Sequence, residues 1–544
     1  MIAKNLVEWM IEEGEQPKNK LVFLSVTAGL SNSLLLAIVN HASQITASGE
    51  SVKIHYLIIY AILLGTFSYA QYYVLATTAV IVENILCKVR VRVANKIRQA
   101  ELTFVENTSF QSIFNCLSQE TTLISQGSSL IFKSLVSAAL LVTTLIYIAW
   151  LSMTAFVIAA AAIALGFLFY LQRRQKIVAD LDESTERQRK YFEAFEQTFT
   201  GFKEIKINQA KNYDLYCHQV DLAKNVEQLR SRAGISMAFI MNFSDIFFYS
   251  LLASIIFIWP MMASVSSVLI AKLTVCFIYL VVGPLDFIVS NLPIFIKVEM
   301  AVNNLKKLEI MLDESIKNVS VEVCKPNPQP KFKMVCLENV QFEYFDSENN
   351  YIFSIGPINL EIKRNETLFI VGGNGSGKST LLKILLGLYY PSEGHIVLDG
   401  VRLNRDDYPE YRELYSAIFS DFHIFDKFYG VKHVDDERLR ELLKIMKLEK
   451  NTDFINGKYT NINLSTGQRK RLAYIAALMD DKEIYIFDEW AADQDPNFRK
   501  YFYEILLPDL HKNGKTIISV THDDKYFHIA DRVIKLDAGK IVRE

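Results

Sequence analysis

The chain has 544 residues, of which 51% are hydrophobic and only 22% are charged. This apolar content excludes an intrinsically disordered protein, because such chains cannot leave that much apolar surface in water. The 58 basic residues are nearly balanced by 60 acidic ones, so the net charge of −2 excludes a strongly basic surface, and we expect no nucleic-acid partner.

Six apolar segments in roughly the first 300 positions are long enough to cross a lipid bilayer. A membrane-spanning helix needs roughly 20 predominantly apolar residues. The predicted spans cover residues 21–40, 56–82, 130–150, 155–171, 235–258 and 265–294. Any one of them alone could be a buried core helix, but six together predict an all-α transmembrane domain over residues 1–315.

The charges between these segments indicate how the spans are oriented. The connections at 151–154 and 259–264 carry no charge, whereas the segments after the second and fourth spans are basic. Their basic residues are Lys88, Arg90, Arg92, Lys96 and Arg98 after the second span, and Arg173, Arg174, Lys176, Arg187 and Lys190 after the fourth. Because basic loops stay on the cytoplasmic side, both termini are predicted to be cytoplasmic.

The two basic connections, residues 83–129 and 172–234, are long and have the apolar spacing of helices. Helices of half that length would extend roughly 35–45 Å beyond the membrane. Their tips are predicted near Ser109–Asn115 and Glu196–Lys203. We expect these cytoplasmic hairpins to dock on the C-terminal domain.

A proline-rich stretch separates the predicted membrane domain from the rest of the chain. Pro326, Pro328 and Pro330 occupy alternate positions, and proline at this density cannot continue a helix. The sequence therefore predicts a linker over residues 316–332 and a separate α/β domain over residues 333–544.

The C-terminal domain contains a glycine-rich loop in the context that phosphate binding requires. An apolar strand at 368–371 precedes GGNGSGKST at 372–380, and an apolar helical segment follows. This fits G-x-x-x-x-G-K-[ST], in which Lys378 would reach the β- and γ-phosphates and Ser379 would bind Mg²⁺. The alternative is an ordinary glycine-rich turn. The predicted nucleotide contacts are Gly372, Gly373, Asn374, Gly375, Ser376, Gly377, Lys378, Ser379 and Thr380.

A second apolar strand, Ile484–Asp488, is followed directly by Glu489, so two carboxylates stand together at its end. In a phosphate site Asp488 would hold the Mg²⁺ shell, and Glu489 would orient and deprotonate the attacking water. Alone, such a pair could simply mark the end of a strand. Its position downstream of the glycine-rich loop favours the catalytic interpretation.

Between these elements, LSTGQ at 464–468 resembles the LSGGQ signature of ABC transporters. The resemblance extends over essentially the whole chain, because six spans followed by one nucleotide-binding domain is the layout of an exporter half-transporter. It implies that Asp495 belongs to the D-loop, that His522 is the switch histidine and that Tyr344 stacks on adenine. Taken alone, Tyr344 would more often pack a strand, and His522 would more often cap one.

The family resemblance also bears on the number of subunits. In ABC transporters the signature completes the ATP site of the other subunit. Ser465, Gly467 and Gln468 are therefore implied to contact ATP bound by a second copy of the chain, which predicts a homodimer.

Two positions depart from the family pattern. Thr466 stands where the signature has its first glycine, and Ser420 stands at the position of the Q-loop glutamine. Serine is too short to copy the reach of glutamine to the metal and the attacking water. The hydroxyl of Ser420 could still act on the metal through a bound water.

Ser420, GGNGSGKST and DEWAADQDP together resemble the bacterial group that exports cyclic peptides, lasso peptides and siderophore precursors. This implies ATP-driven export of a peptide-like cargo across the inner membrane, with ATP and Mg²⁺ as cofactors. Partners would be membrane lipid and the cargo, and a periplasmic adaptor or outer-membrane channel stays open. Lys272 and Asp286, two charges in the sixth span, could line a polar cargo cavity. The alternative is that they pair with one another or extend to the membrane interface.

Three other functions are alternatives to peptide export. A lipid or lipid-linked-sugar flippase would have the same architecture. A non-transporting, ATP-gated membrane sensor often lacks the catalytic carboxylate or the switch histidine, whereas Glu489 and His522 are both present here. A soluble ATPase with a membrane anchor would need only one span.

Overall fold

The computed structural model describes most of the chain and divides it into two units. The described residues are 9, 18–47, 49, 51–108, 110–258, 261, 267–278, 283–316, 332–345, 351–431 and 434–543. One unit combines residues 1–94 with 111–310, and the other combines residues 95–110 with 311–544. Most of the predicted linker at 316–332 and part of the sixth predicted span lie outside the described residues.

The N-terminal part of the chain folds into helices, three of which are very long. In chain order they are α1 (Lys18–Ala47), α2 (Ile54–Gln99), α3 (Leu102–Asn107), α4 (Phe110–Asn115), α5 (Thr121–Leu151), α6 (Met153–Thr200), α7 (Phe202–Lys206), α8 (Gln209–Ala253), α9 (Ser267–Cys276) and α10 (Gly283–Ile316). Helices α2, α6 and α8 have 46, 48 and 45 residues. At about 70 Å each, they exceed the ~30 Å hydrocarbon core of a bilayer, so they can cross it and continue beyond it.

Three helices of the described residues are long and apolar enough to cross a membrane: Lys20–Thr46, Ile113–Leu151 and Met153–Thr200. They contain the first, third and fourth predicted spans. The second predicted span lies in α2 and the fifth lies mostly in α8, and the same criterion of length and apolarity does not select these two helices.

Helices α6 and α8 pack against each other along the second long hairpin. Near the membrane-spanning end the rings of Phe169 and Phe243 stack with their centroids 4.3 Å apart. Near the other end Gln219 donates to the carbonyl oxygen of Ala194 at 3.0 Å. Because α6 ends at Thr200 and α8 begins at Gln209, the hairpin turns between them through the short helix α7.

The second unit contains an α/β domain with two main sheets. Its strands are β1 (Met334–Phe345), β2 (Tyr351–Lys363), β3 (Thr367–Val371), β4 (Glu393–Leu398), β5 (Val401–Arg402), β6 (Tyr415–Ile418), β7 (Phe454–Ile455), β8 (Lys458–Tyr459), β9 (Ile484–Asp488), β10 (Thr516–Val520), β11 (Arg532–Asp537) and β12 (Lys540–Arg543). Four strands form an antiparallel sheet in the order β2-β1-β4-β5. Six form a sheet in the order β12-β11-β3-β10-β9-β6, in which only β12 runs antiparallel to its neighbour, and β7 pairs with β8.

Parallel strands require crossover connections, and helices supply most of them. The helices of this domain are α11 (Lys378–Leu385), α12 (Tyr408–Arg412), α13 (Asp436–Ile445), α14 (Thr466–Asp480), α15 (Pro496–Tyr501) and α16 (Leu507–Lys512). They cover both faces of the parallel sheet, which explains why its central strands are apolar throughout.

Alternate residues of the central strands enter two different apolar cores, as strand geometry requires. Leu368 and Ile370 pack in one core with Leu381 of α11. Phe369 and Phe487 pack in the other core, which contains the aromatic side chains that follow β9. The sheet is therefore held from both sides, and its carboxyl-terminal edge is fixed in position.

Candidate nucleotide-binding site

The glycine-rich loop joins the end of β3 to the start of α11. Gly375 (φ 75°) and Gly377 (φ 98°) have left-handed backbone conformations, which residues with a Cβ rarely adopt. A Cβ at Gly372 would lie 2.3 Å from a backbone carbonyl oxygen of β11. Lys378 is 6% exposed, and its Nζ donates to the carbonyl oxygens of Gly372 and Gly373 at 3.0 and 2.9 Å. Backbone amides beside a helix N-terminus and an ammonium form the type of site that binds phosphate.

A hydroxyl and a buried carboxylate meet beside this loop. Ser379 Oγ donates to Asp488 Oδ2 at 3.2 Å, and Asp488 is 2% exposed. Burial raises the pKa of Asp488, and the neighbouring charge of Glu489 raises it further. Hydrogen bonds from Ser379 and from the backbone and side chain of Ser420 act in the opposite direction. The structure therefore brings Ser379, Asp488 and Ser420 together, and their oxygens are donors that a hard cation such as Mg²⁺ prefers.

Glu489 and His522 lie together at the ends of neighbouring strands. In the parallel pairing of β9 with β10, Val520 is opposite Asp488, so the residues that follow both strands meet at one edge. His522 Nε2 lies 3.2 Å from Glu489 Oε1. Both side chains are partly exposed, at 49% and 36%, so solvent and substrate can reach them.

Tyr344, the predicted adenine contact, lies near the end of β1 beside a residue that the sequence did not single out. Its hydroxyl donates to Glu106 of α3 at 3.4 Å. Lys383 of α11 donates to the same carboxylate at 2.7 Å, and Tyr389 donates to it as well. Burial, followed by the Glu106 carboxylate, raises the pKa of Tyr389. No signal in the sequence marks Glu106, because α3 precedes this domain by more than two hundred residues.

The signature residues begin α14, where the first backbone amides need hydrogen-bond acceptors. Ser465 caps the helix, and Gln468 donates from its backbone to Ser465 Oγ at 3.5 Å while its side chain accepts from the Ser465 backbone at 3.2 Å. A Cβ at Gly467 would lie 2.8 Å from the carbonyl oxygen of Asp493, so glycine is required for this close approach. Ser465 and Thr466 are exposed, so both can reach a molecule outside the chain.

Asp495, the predicted D-loop residue, caps α15 and is bound to α14. It accepts a hydrogen bond from the backbone amide of Phe498 at 3.0 Å and forms an ion pair with Arg471 at 2.9 Å. The Phe498 amide and the Arg471 guanidinium hold the pKa of Asp495 below its usual range. Asp495 is therefore held as a carboxylate beside the signature helix.

Comparison with known proteins places the whole chain in one family. The family model of the ABC transporter matches residues 355–492. ATP-binding protein SyrD of Pseudomonas syringae pv. syringae is 32% identical over 491 residues, which cover 85% of this chain and 83% of SyrD. The chain belongs to the ABC transporters.

Two further comparisons match this ABC transporter over different lengths of the chain. The energy-coupling factor transporter ATP-binding protein EcfA1 of Mycoplasmopsis pulmonis is 34% identical over 220 residues, which cover 38% of this chain and 81% of EcfA1. A bacterial Atm1-family ABC exporter, solved with ATP bound, has the same fold over 100% of this chain and 95% of its own, with a TM-score of 0.76 at 15% identity. The chain is an ATP-hydrolysing ABC exporter with the architecture of a half-transporter.

The helical unit of this ABC transporter contains an apolar cavity of about 120 Å³. Helices α6, α8 and α10 form its walls, with Phe169, Phe243 and Phe247 among the lining side chains. Lys272 and Asp286, the predicted cavity charges, do not line it. Asp286 is exposed and accepts a hydrogen bond from Ser290 at 3.1 Å, and no ion pair joins it to Lys272 within the described ranges.

The tight approach of Gly372 to β11 leads to a prediction about stability. Gly372→Ala forces a Cβ against a backbone carbonyl, and overpacking of this kind costs about 1–3 kcal/mol. Gly373→Ala is the matched control, because a Cβ there meets nothing within 4 Å. We expect thermal unfolding, followed by fluorescence of the buried Trp490, to show a lower midpoint for Gly372→Ala only. Equal midpoints for the two variants would contradict the steric argument.

Proposed function

We propose that this exporter moves a peptide-like cargo, such as a cyclic peptide, a lasso peptide or a siderophore precursor, outward across the bacterial inner membrane, with both termini cytoplasmic. The use of ATP hydrolysis to drive export is supported by the joint position of Glu489, His522 and Asp488 beside the glycine-rich loop. The cargo class is supported by Ser420 and the DEWAADQDP string, which resemble those of peptide and siderophore exporters.

In the proposed reaction each side chain has a distinct task. The amides of residues 372–380 and the ammonium of Lys378 bind the phosphates of ATP, and the ring of Tyr344 stacks on adenine. Glu489 accepts a proton from the attacking water while the water oxygen bonds to the terminal phosphorus of ATP. At the same time the bond between that phosphorus and the oxygen bridging to the β-phosphate breaks, which releases ADP. His522, 3.2 Å from Glu489, holds that carboxylate beside the phosphates.

A Mg²⁺ ion fits the residues at the edge of the sheet. Asp488 is a buried carboxylate whose pKa is raised by burial, and its hydrogen-bond neighbours Ser379 and Ser420 are uncharged. A cation would compensate this charge, with Ser379 and Asp488 as ligands and Ser420 bound to Asp488. Bound Mg²⁺ would supply charge neutralisation on the phosphates.

We propose a homodimer because the chain has one glycine-rich loop and one signature. Ser465 and Thr466 stand exposed at the start of α14, available to a nucleotide bound by a partner subunit. Two copies would then enclose two ATP molecules, and the γ-phosphates would favour the closed dimer because only that state contacts both surfaces.

A lipid or lipid-linked-sugar flippase is the second candidate, and one observation favours it. The cavity between α6, α8 and α10 is almost entirely apolar. A peptide backbone inside it would leave amides without hydrogen-bond partners, whereas a hydrocarbon chain would not.

A transport assay distinguishes the two candidates. Inside-out proteoliposomes that contain only this protein should accumulate a labelled cyclic peptide or siderophore precursor when ATP and Mg²⁺ are added outside. Uptake by this chain alone would show that no adaptor or outer-membrane channel is needed for the step. ATP-dependent movement of a labelled lipid between leaflets, without peptide uptake, would replace the proposal with the flippase.

The proposed role of Glu489 predicts the behaviour of Glu489→Gln. The amide cannot accept the proton of water, so turnover should fall by ~10²-fold or more, the range for loss of a general base. ATP binding should persist, because Glu489 lies outside the loop that would hold the phosphates. We expect phosphate release to fall while binding of a fluorescent ATP analogue stays within about twofold of wild type. Wild-type turnover would reject the assignment, as would loss of ATP binding.

The raised pKa of Asp488 predicts that Asp488→Asn separates stability from metal binding. Burial disfavours the ionised form of Asp488 in the folded chain. Ionisation therefore lowers the stability of the folded state as the pH rises from the pKa of the unfolded chain, about 3.9, through the higher pKa of the folded chain. Above that window the cost is complete. Without ligands at pH 7, Asp488→Asn should therefore unfold at the same temperature as wild type or higher.

The same variant should lose the stabilisation that Mg²⁺ and ATP give, because ligand binding to the folded state raises its stability. The measurement is the unfolding midpoint with and without Mg²⁺-ATP at about 100 times its dissociation constant, where binding adds about 2.7 kcal/mol of stability. A lower midpoint than wild type without ligands, or an equal gain with them, would contradict the argument.

The polar cargo cavity that the sequence predicts would make the effect of Asp286→Asn selective. Asp286 is exposed and lies outside the nucleotide-binding unit, so basal ATP hydrolysis should stay near wild type. If the charge contacts cargo, peptide-stimulated hydrolysis should change. Ser290→Ala is the control, since it removes the hydrogen bond to Asp286 and keeps the charge. A joint fall of basal and stimulated rates, or a collapse in protein yield, would mean that Asp286 is structural.

A further inference from the structure

Lys470 is a buried cation that joins the signature helix to the backbone of Glu489. Its side chain is 2% exposed, and its Nζ donates to the carbonyl oxygen of Glu489 at 2.7 Å. In the opposite direction, the indole of Trp490 donates to the carbonyl oxygen of Lys470 at 2.9 Å. Helix α14 and the segment after β9 are therefore locked by a reciprocal pair of hydrogen bonds.

The bond from Lys470 acts on a residue with an unusual backbone. Glu489 has φ 49°, a left-handed conformation that non-glycine residues seldom adopt. Its amide donates to the carbonyl oxygen of Val520 at 3.1 Å, while its own carbonyl accepts from Lys470. Both peptide groups of Glu489 are thus held, and this conformation sends the side chain towards His522.

The ion pair of Lys470 does not explain why the cation lies at this point. Lys470 Nζ also lies 2.7 Å from Asp493, but the Asp493 side chain is 48% exposed. A lysine paired with such a carboxylate could remain in solvent, where its charge is cheaper to hold. Its burial against a main-chain carbonyl indicates that its position, and not only its charge, matters.

Further hydrogen bonds join the start of α14 to residues 489–495. Gln494 donates from its side chain to the carbonyl oxygen of Gly467 at 3.0 Å. Arg471 donates to Gln494 at 2.9 Å and to Asp495 at 2.9 Å. The signature end of the helix and the proposed general base are therefore two ends of one bonded assembly.

We propose that Lys470 is a positioning residue that sets the backbone of Glu489 and couples hydrolysis to the position of the signature helix. Contact of the signature with the partner's nucleotide shifts α14, and Lys470 carries that shift to the Glu489 carbonyl. Each chain then aligns its own general base when its signature is engaged. This inference rests on the proposed homodimer and on the proposed role of Glu489.

The test is a double-mutant cycle of Lys470→Met and Glu489→Gln in the full-length protein. Methionine fills similar space without a donor, and misplacement of a catalytic group by about 1 Å can cost ~10²-fold in rate. We expect Lys470→Met to lower kcat by about 10- to 100-fold while KM for ATP changes less than about twofold. In the Glu489→Gln background the same change should cost nothing further, because the group that it positions is gone.

Two controls separate positioning from a general effect of burying or removing charge. Lys515→Met removes a mostly buried lysine that pairs with Asp481 at 2.9 Å, and it should leave kcat near wild type. Asp493→Asn removes the carboxylate partner of Lys470 and keeps the bond to the Glu489 carbonyl, so it too should leave kcat near wild type. If Lys470→Met does not fold, Lys470→Leu, which also lacks a donor, enters the same cycle with the same expected losses.

The outcomes separate this inference from the proposed function. If the losses from the Lys470 and Glu489 variants multiply, Lys470 acts elsewhere and the inference is wrong, although Glu489 keeps its role. If Asp493→Asn lowers kcat as much as Lys470→Met, the ion pair is responsible and the inference is also wrong. If Glu489→Gln alone has wild-type turnover, the proposed function fails first.

Discussion

The candidate site depends on the parallel pairing of β9 with β10. In that register Val520 lies opposite Asp488, so the residues that follow the two strands meet at the same edge. The neighbouring strand β3 ends at that edge too and continues into the glycine-rich loop. A one-residue shift of either strand would exchange the side chains that enter the two cores, and these side chains differ in size and shape. The two apolar cores that cover this sheet therefore fix the chemistry as well as the fold.

Ser420 illustrates how a departure from a family pattern can be accommodated. Serine is too short for the task of glutamine, and the sequence therefore predicts that Ser420 acts through a bound water. In the structure the backbone and the side chain of Ser420 lie close enough to Asp488 to lower the pKa of its carboxyl. Together with Ser379, it opposes the effect of burial on the pKa of that carboxyl. The short side chain acts on the carboxylate next to it and does not need the reach of glutamine to do so.

The sequence predicted the elements whose signals are local. The glycine-rich loop, the helix that follows it and the strand before Asp488 each follow from neighbouring residues, and the structure has a loop, a helix and a strand there. It did not predict contacts between distant residues. Lys470 belongs to a run of three basic residues that would ordinarily face solvent, yet it is buried against Glu489 because α14 is hydrogen-bonded to the segment that follows β9. Nor does any pattern indicate that the charges of the sixth predicted span lie outside the apolar cavity, since that depends on which face each helix turns inward.

Helix α3 also packs against residues that are distant from it in the sequence. It lies between two long helices of the N-terminal part, yet its contacts place it in the unit of the α/β domain. Leu102 packs against the core beneath the glycine-rich loop, and Glu101 pairs with Arg405 at 3.3 Å. Glu106 accepts from three donors, one of them the ammonium of Lys383, and hydrogen bonds to charged groups contribute about 1.5–3 kcal/mol each. Because one of the other donors is Tyr344, the residue proposed to stack on adenine, a single carboxylate joins this helix to both the phosphate-loop helix and the proposed base contact.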